Sequence, residues 1–285
     1  MISILLAIIC STALNLIIRI SASKYTYNAP FLLLVVECLK LLICSLGMQY
    51  ISKEPHFKIR WGFLVNAILY SVVNILTHII SGIVPVALYN ALIQHKLLWV
   101  VLFSIVILKK TFSKKQYMSL CAILSGCILV KFTPSSSEFS DFGVFLIVLQ
   151  GICSSLSSVW IEKMMKAEDR PKVSEDETKQ KLYWFLYDSF QMYMFGIPIY
   201  IVGSYTRAGR SDIPLNLASL IVLLSVVQGL SLGAIFVYYS SVVRSMVAAV
   251  VILLLSIENG VYTYSVVSGI AMIILGVFGW AYRKN

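Results

Sequence analysis

Long apolar runs separated by short polar breaks dominate the chain. A helix needs about 20 mainly apolar residues to cross a bilayer. Ten such runs can be read, at about 2–20, 30–51, 61–82, 84–108, 116–133, 142–165, 182–204, 215–239, 243–257 and 261–282. Between them lie Pro30, the 53–60 segment, Pro85, the lysine-rich 109–115 segment, 133–141, 166–181, 207–214 and 258–260. The pattern predicts an all-α polytopic membrane protein of ten transmembrane helices. The first run has no basic leader and exceeds the length of a signal-peptide core, so it reads as a span. The ninth run is the shortest, and its boundary with the tenth is the least marked.

Basic residues orient these spans. With a cytosolic N-terminus, the cytosolic loops and tail hold 15 Lys and Arg, and the opposite side holds 5. That bias predicts both termini in the cytosol and an even number of spans. The segment 166–181, KAEDRPKVSEDETKQK, alternates in charge and reads as a solvated cytosolic connector. Ten spans divide into two halves of odd span number, and such halves have opposite topology, the arrangement of an inverted repeat. The first repeat is read over 1–133, within a 1–165 segment of five to six spans, and the second over 142–285. Tyr89 with Lys96 on the fourth span and Tyr238 with Arg244 on the ninth occupy corresponding places in the two halves.

Composition agrees with the membrane reading. The chain has 285 residues, 59% hydrophobic and 13% charged, far from the usual balance of soluble domains. The net charge of +10 is therefore a topological bias and not a nucleic-acid footprint. Six cysteines all lie in apolar runs without CxxC spacing, so they read as small buried hydrophobes. No His or Cys pair has metal-ligand spacing, and neither a metal nor a cofactor is expected.

The ionisable groups inside the spans carry the candidate chemistry. Each buried cation costs roughly 2.5–3.5 kcal/mol on insertion scales, so it faces a partner or a wet cavity. Glu37 and Lys40 are three apart on the second span, where their side chains meet. They neutralise each other or form part of a site. Lys96 and Arg244 have no acid at helical spacing. A cavity that receives an anion is one answer, with Asp188 or Glu258 offsetting part of the charge. On the third span Asn66, Tyr70, Asn74 and His78 recur every four residues and share one face, read as a cavity wall. Gly229 and Gly233 match GxxxG, read first as packing within one subunit, with a homodimer as the other use.

Several motifs are also similar to a known family. Pro85 to Phe132 resembles the fourth and fifth spans of nucleotide-sugar transporters, the branch carrying CMP-sialic acid, UDP-galactose and UDP-N-acetylglucosamine within the drug/metabolite transporter superfamily. Tyr89, Gln94, Lys96, Thr111, Ser113, Gln116 and Gly126 keep the family's places, whereas Asn90 and Ile93 replace its Gln and Tyr. ECLKLLI at 37–43, LYSVVN at 69–74, WIEKMMK at 160–166 and QMYMFGI at 191–197 extend the resemblance along the chain.

The resemblance implies ten spans in two inverted five-helix halves in the Golgi or endoplasmic reticulum membrane. The implied activity is transport, not catalysis: exchange of a cytosolic nucleotide sugar for a lumenal nucleoside monophosphate. Lys40, Lys96 and Arg244 would meet phosphate or an acidic sugar, with Gln94 beside Lys96 in the signature. Tyr70, Asn74, Tyr89 and Tyr193 would meet base and ribose. Glu37, His78, Ser189 and Asp188 are accessory candidates. Ser189, Asp188 and Phe195 depart from the family pattern, which bears on the identity of the substrate. Export or exchange of another small metabolite on the same fold is the alternative expectation.

Overall fold

A computed structural model describes residues 2–25, 27–52, 58–81, 83–84, 89, 92–131, 141–166, 171, 173–206, 212–243, 246–247, 250–251 and 264–281. Regular structure among the described residues is entirely helical. The α-helices are α1 (Ile2–Lys24), α2 (Ala29–Ile51), α3 (Gly62–Ser81), α4 (Lys96–Leu108), α5 (Lys114–Lys131), α6 (Asp141–Met165), α7 (Glu177–Thr206), α8 (Leu215–Tyr238) and α9 (Tyr264–Ala281). A 3-10 turn, Ile93–His95, leads into α4, and described residues within 241–251 are also helical. Among the described residues three helical spans are long and apolar enough to cross a membrane: Ala29–Ile51, Asp141–Met165 and Leu215–Ile235. Shorter apolar helices run over Leu5–Ile18, Gly62–Thr77 and Ile93–Leu108. Most of the expected ninth span and the C-terminal tail lie outside the described residues.

Helix ends follow local chemistry. α2 starts where the Asn28 side chain accepts the Phe31 amide at 3.1 Å, with Pro30 in the first turn. α5 starts with a reciprocal cap. The Ser113 amide donates to Gln116 Oε1 at 2.9 Å, and the Gln116 amide donates to Ser113 Oγ at 3.3 Å. α7 begins earlier than the apolar run at 182 suggests. The Thr178 amide donates to Asp176 Oδ1 at 2.8 Å, which caps a polar first turn. In that turn Lys181 bonds Glu177, and its hydrogen bond and charge hold the Glu177 carboxyl below its ordinary value.

The chain forms two compact units, each drawn from two stretches of sequence. Unit 1 comprises Met1–Ser71 and Trp160–Ser240, and unit 2 comprises Val72–Val159 and Ser241–Asn285. In unit 1, α2 packs on α7 and α8, and α1 packs on α8. Its core joins Cys44 and Met48 of α2 to Tyr183, Phe185 and Tyr193 of α7. The Gln228 amide donates to Ser11 Oγ at 2.7 Å, linking α8 to α1. In unit 2, α5 packs on α9, and Leu97, Val100 and Val101 of α4 meet Ile123, Val242 and Met246.

Small residues set the α5–α9 approach. A Cβ on Gly126 would lie 2.6 Å from the Gly269 carbonyl oxygen and 2.8 Å from Ile273 Cγ1. One on Gly276 would lie 2.7 Å from the Ser119 carbonyl oxygen. Lipid tails are as apolar as the helices, so close backbone contact of this kind is what holds spans together. A different constraint closes α4. Lys109 adopts φ 51°, a left-handed conformation that costs a residue with Cβ roughly 1–2 kcal/mol. Lys110 follows with its amide on the Ser104 carbonyl at 3.2 Å.

Two outcomes follow. Gly126→Leu must push the α9 backbone away and should destabilise unit 2 by about 1–3 kcal/mol or more, read as a fall in the unfolding temperature of the purified protein. Lys109→Gly removes the conformational penalty and should stabilise by about 1 kcal/mol; an unchanged or lowered unfolding temperature would contradict the left-handed assignment.

Candidate functional site

Within unit 1 a polar cluster sits among apolar neighbours. Glu37 and Lys40, both 4% exposed, form an ion pair at 2.9 Å through Oε1 and Nζ. The spacing of three along α2 places them one above the other. Lys40 Nζ also lies 5.0 Å from the centroid of the Tyr193 ring, a cation–π contact. Gly229 of α8 forms the opposite wall. A Cβ there would stand 2.6 Å from Lys40 Cε and 2.7 Å from Nζ. One turn further along α8, a Cβ on Gly233 would stand 3.1 Å from Phe185 and 3.9 Å from Ser189 Oγ. Both glycines of the GxxxG match therefore serve packing inside unit 1, where they admit the lysine and an aromatic ring.

Tyr193 is buried, and its hydroxyl lies near Ser189 Oγ. Neither oxygen has a hydrogen bond of normal geometry. Tyr70 acts on Lys40 electrostatically and is more than a third exposed.

Asp188 has a definite partner. Its Oδ1 accepts from Arg60 Nη1 at 3.0 Å, and its side chain is fully buried. Arg60 Nη2 donates to the Met164 carbonyl at 3.1 Å. Gln191 completes the arrangement, accepting the Arg60 amide at 2.6 Å and donating to the Lys58 carbonyl at 3.1 Å. The Lys58 amide donates to the Tyr187 hydroxyl at 2.7 Å. Tyr187, Asp188 and Gln191 thus clamp the segment that precedes α3 onto α7. Spacing on α7 predicts that these three residues share a face, but no sequence signal identifies a loop backbone as their target.

Unit 2 holds the other candidates. Lys96 is the first residue of α4, directly after the 3-10 turn. It is half-buried and has an interaction of its own, and its carbonyl accepts from Ser155 Oγ of α6 at 2.8 Å. Gln94 is buried and likewise engaged. The Tyr89 hydroxyl is within hydrogen-bonding reach of Gln150 and Thr77. His95 fills the space above Gly151, where a Cβ would lie 2.3 Å from its Nε2, and its Nδ1 is 2.6 Å from the Leu92 carbonyl oxygen. Arg244 and Glu258 lie outside the described residues.

On α3 the fourfold spacing holds, but burial varies along it. Asn66 is buried, Tyr70 exposed and Asn74 half-buried, with both asparagines engaged. The His78 side chain lies outside the described residues. Among the described residues no group of His, Cys, Asp and Glu could hold a metal ion.

Removing one member of the Glu37–Lys40 pair leaves the other charged and buried, which costs about 3–5 kcal/mol. Lys40→Met should therefore lower the unfolding temperature sharply, while Glu37→Gln/Lys40→Met should recover most of the loss. Equal losses in the single and double variants would show that the two charges do not depend on each other.

No family model matches the chain. It is 22% identical over 258 residues to the UDP-N-acetylglucosamine transporter of Canis lupus familiaris, covering 80% of this chain and 75% of that protein. The UDP-N-acetylglucosamine transporter of Homo sapiens shows the same identity and coverage. The CMP-sialic acid transporter 2 of Oryza sativa subsp. indica is 23% identical over 158 residues, covering 51% of this chain and 44% of that protein. A solved crystal structure matches with a TM-score of 0.66 at 14% identity, covering 98% of this chain and 94% of that chain, which shows a shared fold. The curated relatives are named as transporters and not as enzymes, and over most of its length this chain resembles the nucleotide-sugar transporters.

Proposed function

We propose that this chain exchanges a cytosolic nucleotide sugar for a lumenal nucleoside monophosphate by alternating access. It does so in the Golgi or endoplasmic reticulum membrane, with ten spans in two inverted repeats, at 1–133 and 142–285, and both termini in the cytosol. The observation that carries the reading is the buried Glu37–Lys40 pair against the Tyr193 ring, with the exposed Tyr70 near it in unit 1, in a chain whose relatives are transporters of UDP-N-acetylglucosamine and CMP-sialic acid.

Helix partners support the repeat. Counted as ten spans, 2 packs on 7, 5 on 10 and 1 on 8. Span 4 meets span 9 through Val100 and Val242 and through Ser104 and Ser241. Span 3 meets span 6 where Trp160 Nε1 donates to the Gly62 carbonyl at 2.9 Å. For these five pairs, exchanging each span with the one five places away returns the same set, since 1 with 8 becomes 6 with 3; the contact of span 7 with span 8 stands outside it. Span 2 also touches span 8, and its image is span 3 touching span 7 through Phe63 and Phe195.

The residues divide by charge. Lys40 is already neutralised by Glu37, so its part is to hold the Tyr193 ring, and Tyr193, Tyr70, Asn74 and Tyr89 address base and ribose. Lys96, aided by Gln94 and Arg244, takes the phosphate, because a cation at membrane depth is stabilised by an anionic ligand.

Proteoliposomes preloaded with UMP, CMP or GMP should take up the matching labelled nucleotide sugar several-fold faster than empty ones. Equal uptake in loaded and empty vesicles would remove obligatory exchange. Lys96→Ala should cut uptake at least tenfold while a thermal melt shows the fold retained. No response to any nucleotide would favour a different metabolite on the same fold.

A further inference from the structure

The hairpin of α4 and α5 in unit 2 has a feature that transport does not use. Four lysines, Lys109, Lys110, Lys114 and Lys115, fall within seven residues at its turn. Lys109, Lys114 and Lys115 are exposed, and none of the three forms an ion pair among the described residues. The first turn of α5 contains no acid.

Two local preferences are broken here. Lys109 holds a left-handed conformation suited to glycine, and Lys114 and Lys115 open α5, where the helix macrodipole disfavours cations. Sequence choices that oppose local preference without a protein partner point to something outside the chain.

The surroundings say what that is. Leu98, Leu102 and Val106 are exposed at spacings of four along α4, and they run toward the lysine turn. On α5 the exposed row is Met118, Cys121 and Ile128, with Lys114 one turn before Met118. α4 belongs to an apolar helical stretch, Ile93–Leu108, and the exposed rows on α4 and α5 both end at the lysines. Phe112 and Tyr117 stack edge to face at the same level, where aromatic rings favour the membrane–water interface.

We propose that this hairpin is a binding surface for anionic phospholipid. The acyl chains lie along the exposed rows of α4 and α5, and the headgroup phosphate sits among Lys109, Lys110, Lys114 and Lys115. Clusters of four or more lysines beside a spanning helix attract anionic headgroups. Their like charge disfavours a second copy of this chain at the same surface.

The test uses the 285-residue chain in nanodiscs of phosphatidylcholine alone or with about 20 mol% phosphatidylserine, an anionic lipid of the cytoplasmic leaflet. The anionic discs should raise the unfolding temperature, and about 0.5 M salt should abolish the increment. Native mass spectrometry should show phosphatidylserine adducts retained in preference to phosphatidylcholine. Lys114→Gln/Lys115→Gln should weaken that retention roughly 30-fold. The four Lys→Arg changes together should preserve it. Lys179→Gln/Lys181→Gln, which removes the same charge elsewhere, should also leave it intact. Equal weakening by both double variants would reduce the effect to net charge and overturn the site. A shift produced by inorganic phosphate in detergent would replace the lipid with a soluble anion and overturn it too. Reduced adducts accompanied by a change from dimer to monomer would assign the surface to a second copy instead.

Discussion

The buried ion pair of Glu37 and Lys40 organises unit 1. Taking two charges out of water costs several kcal/mol per ion after relaxation, which mutual attraction recovers only with good geometry and supporting contacts. α2 supplies the geometry by placing the partners one turn apart. The supporting contacts come from other helices. α7 brings the Tyr193 ring against the ammonium, and α8 withdraws its side chain at Gly229 so that the lysine stem fits. A change to any of the three surfaces uncovers a buried charge, so the pair fixes the register of α7 and α8 on α2.

α7 serves two ends at once. Toward its start, Tyr187, Asp188 and Gln191 hold the backbone and side chain of the 58–60 segment. Half a turn beyond Gln191, Tyr193 faces the lysine. The positioning of the candidate site and the anchoring of the entry to α3 are therefore properties of a single stretch, 187–193. Asp188, a departure from the family pattern, has a local reason in the Arg60 guanidinium.

Much of this was legible beforehand, because hydrophobic length and i,i+3 spacing are strong signals. The helices at α2, α6 and α8 follow the apolar runs closely, and the Glu37–Lys40 pair follows from spacing alone. The Ser113 and Gln116 places quoted for the family resemblance turn out to be a reciprocal helix cap. What could not be read depends on contacts distant in sequence. The role of Gly229 needs a lysine nearly 190 residues earlier, and Arg60 reads as an ordinary loop cation until Asp188 is folded against it. The early start of α7 was hidden because a capped polar turn has no hydrophobic period. The α3 stripe had the right spacing, but periodicity says nothing of how neighbours cover each position.

The partner pairs in unit 1 have a consequence for biosynthesis. α2 ends at Ile51, and α7, on which it packs, is complete only at Thr206. At translation rates of about 5–20 residues per second, α2 waits roughly 8–30 s in the bilayer with its matching face unmet. α1 waits longer still for α8. Because the acid that offsets Lys40 is on the same helix, α2 can enter lipid as a self-neutralised segment during that interval, before the ring and the glycine that later enclose the pair have left the ribosome.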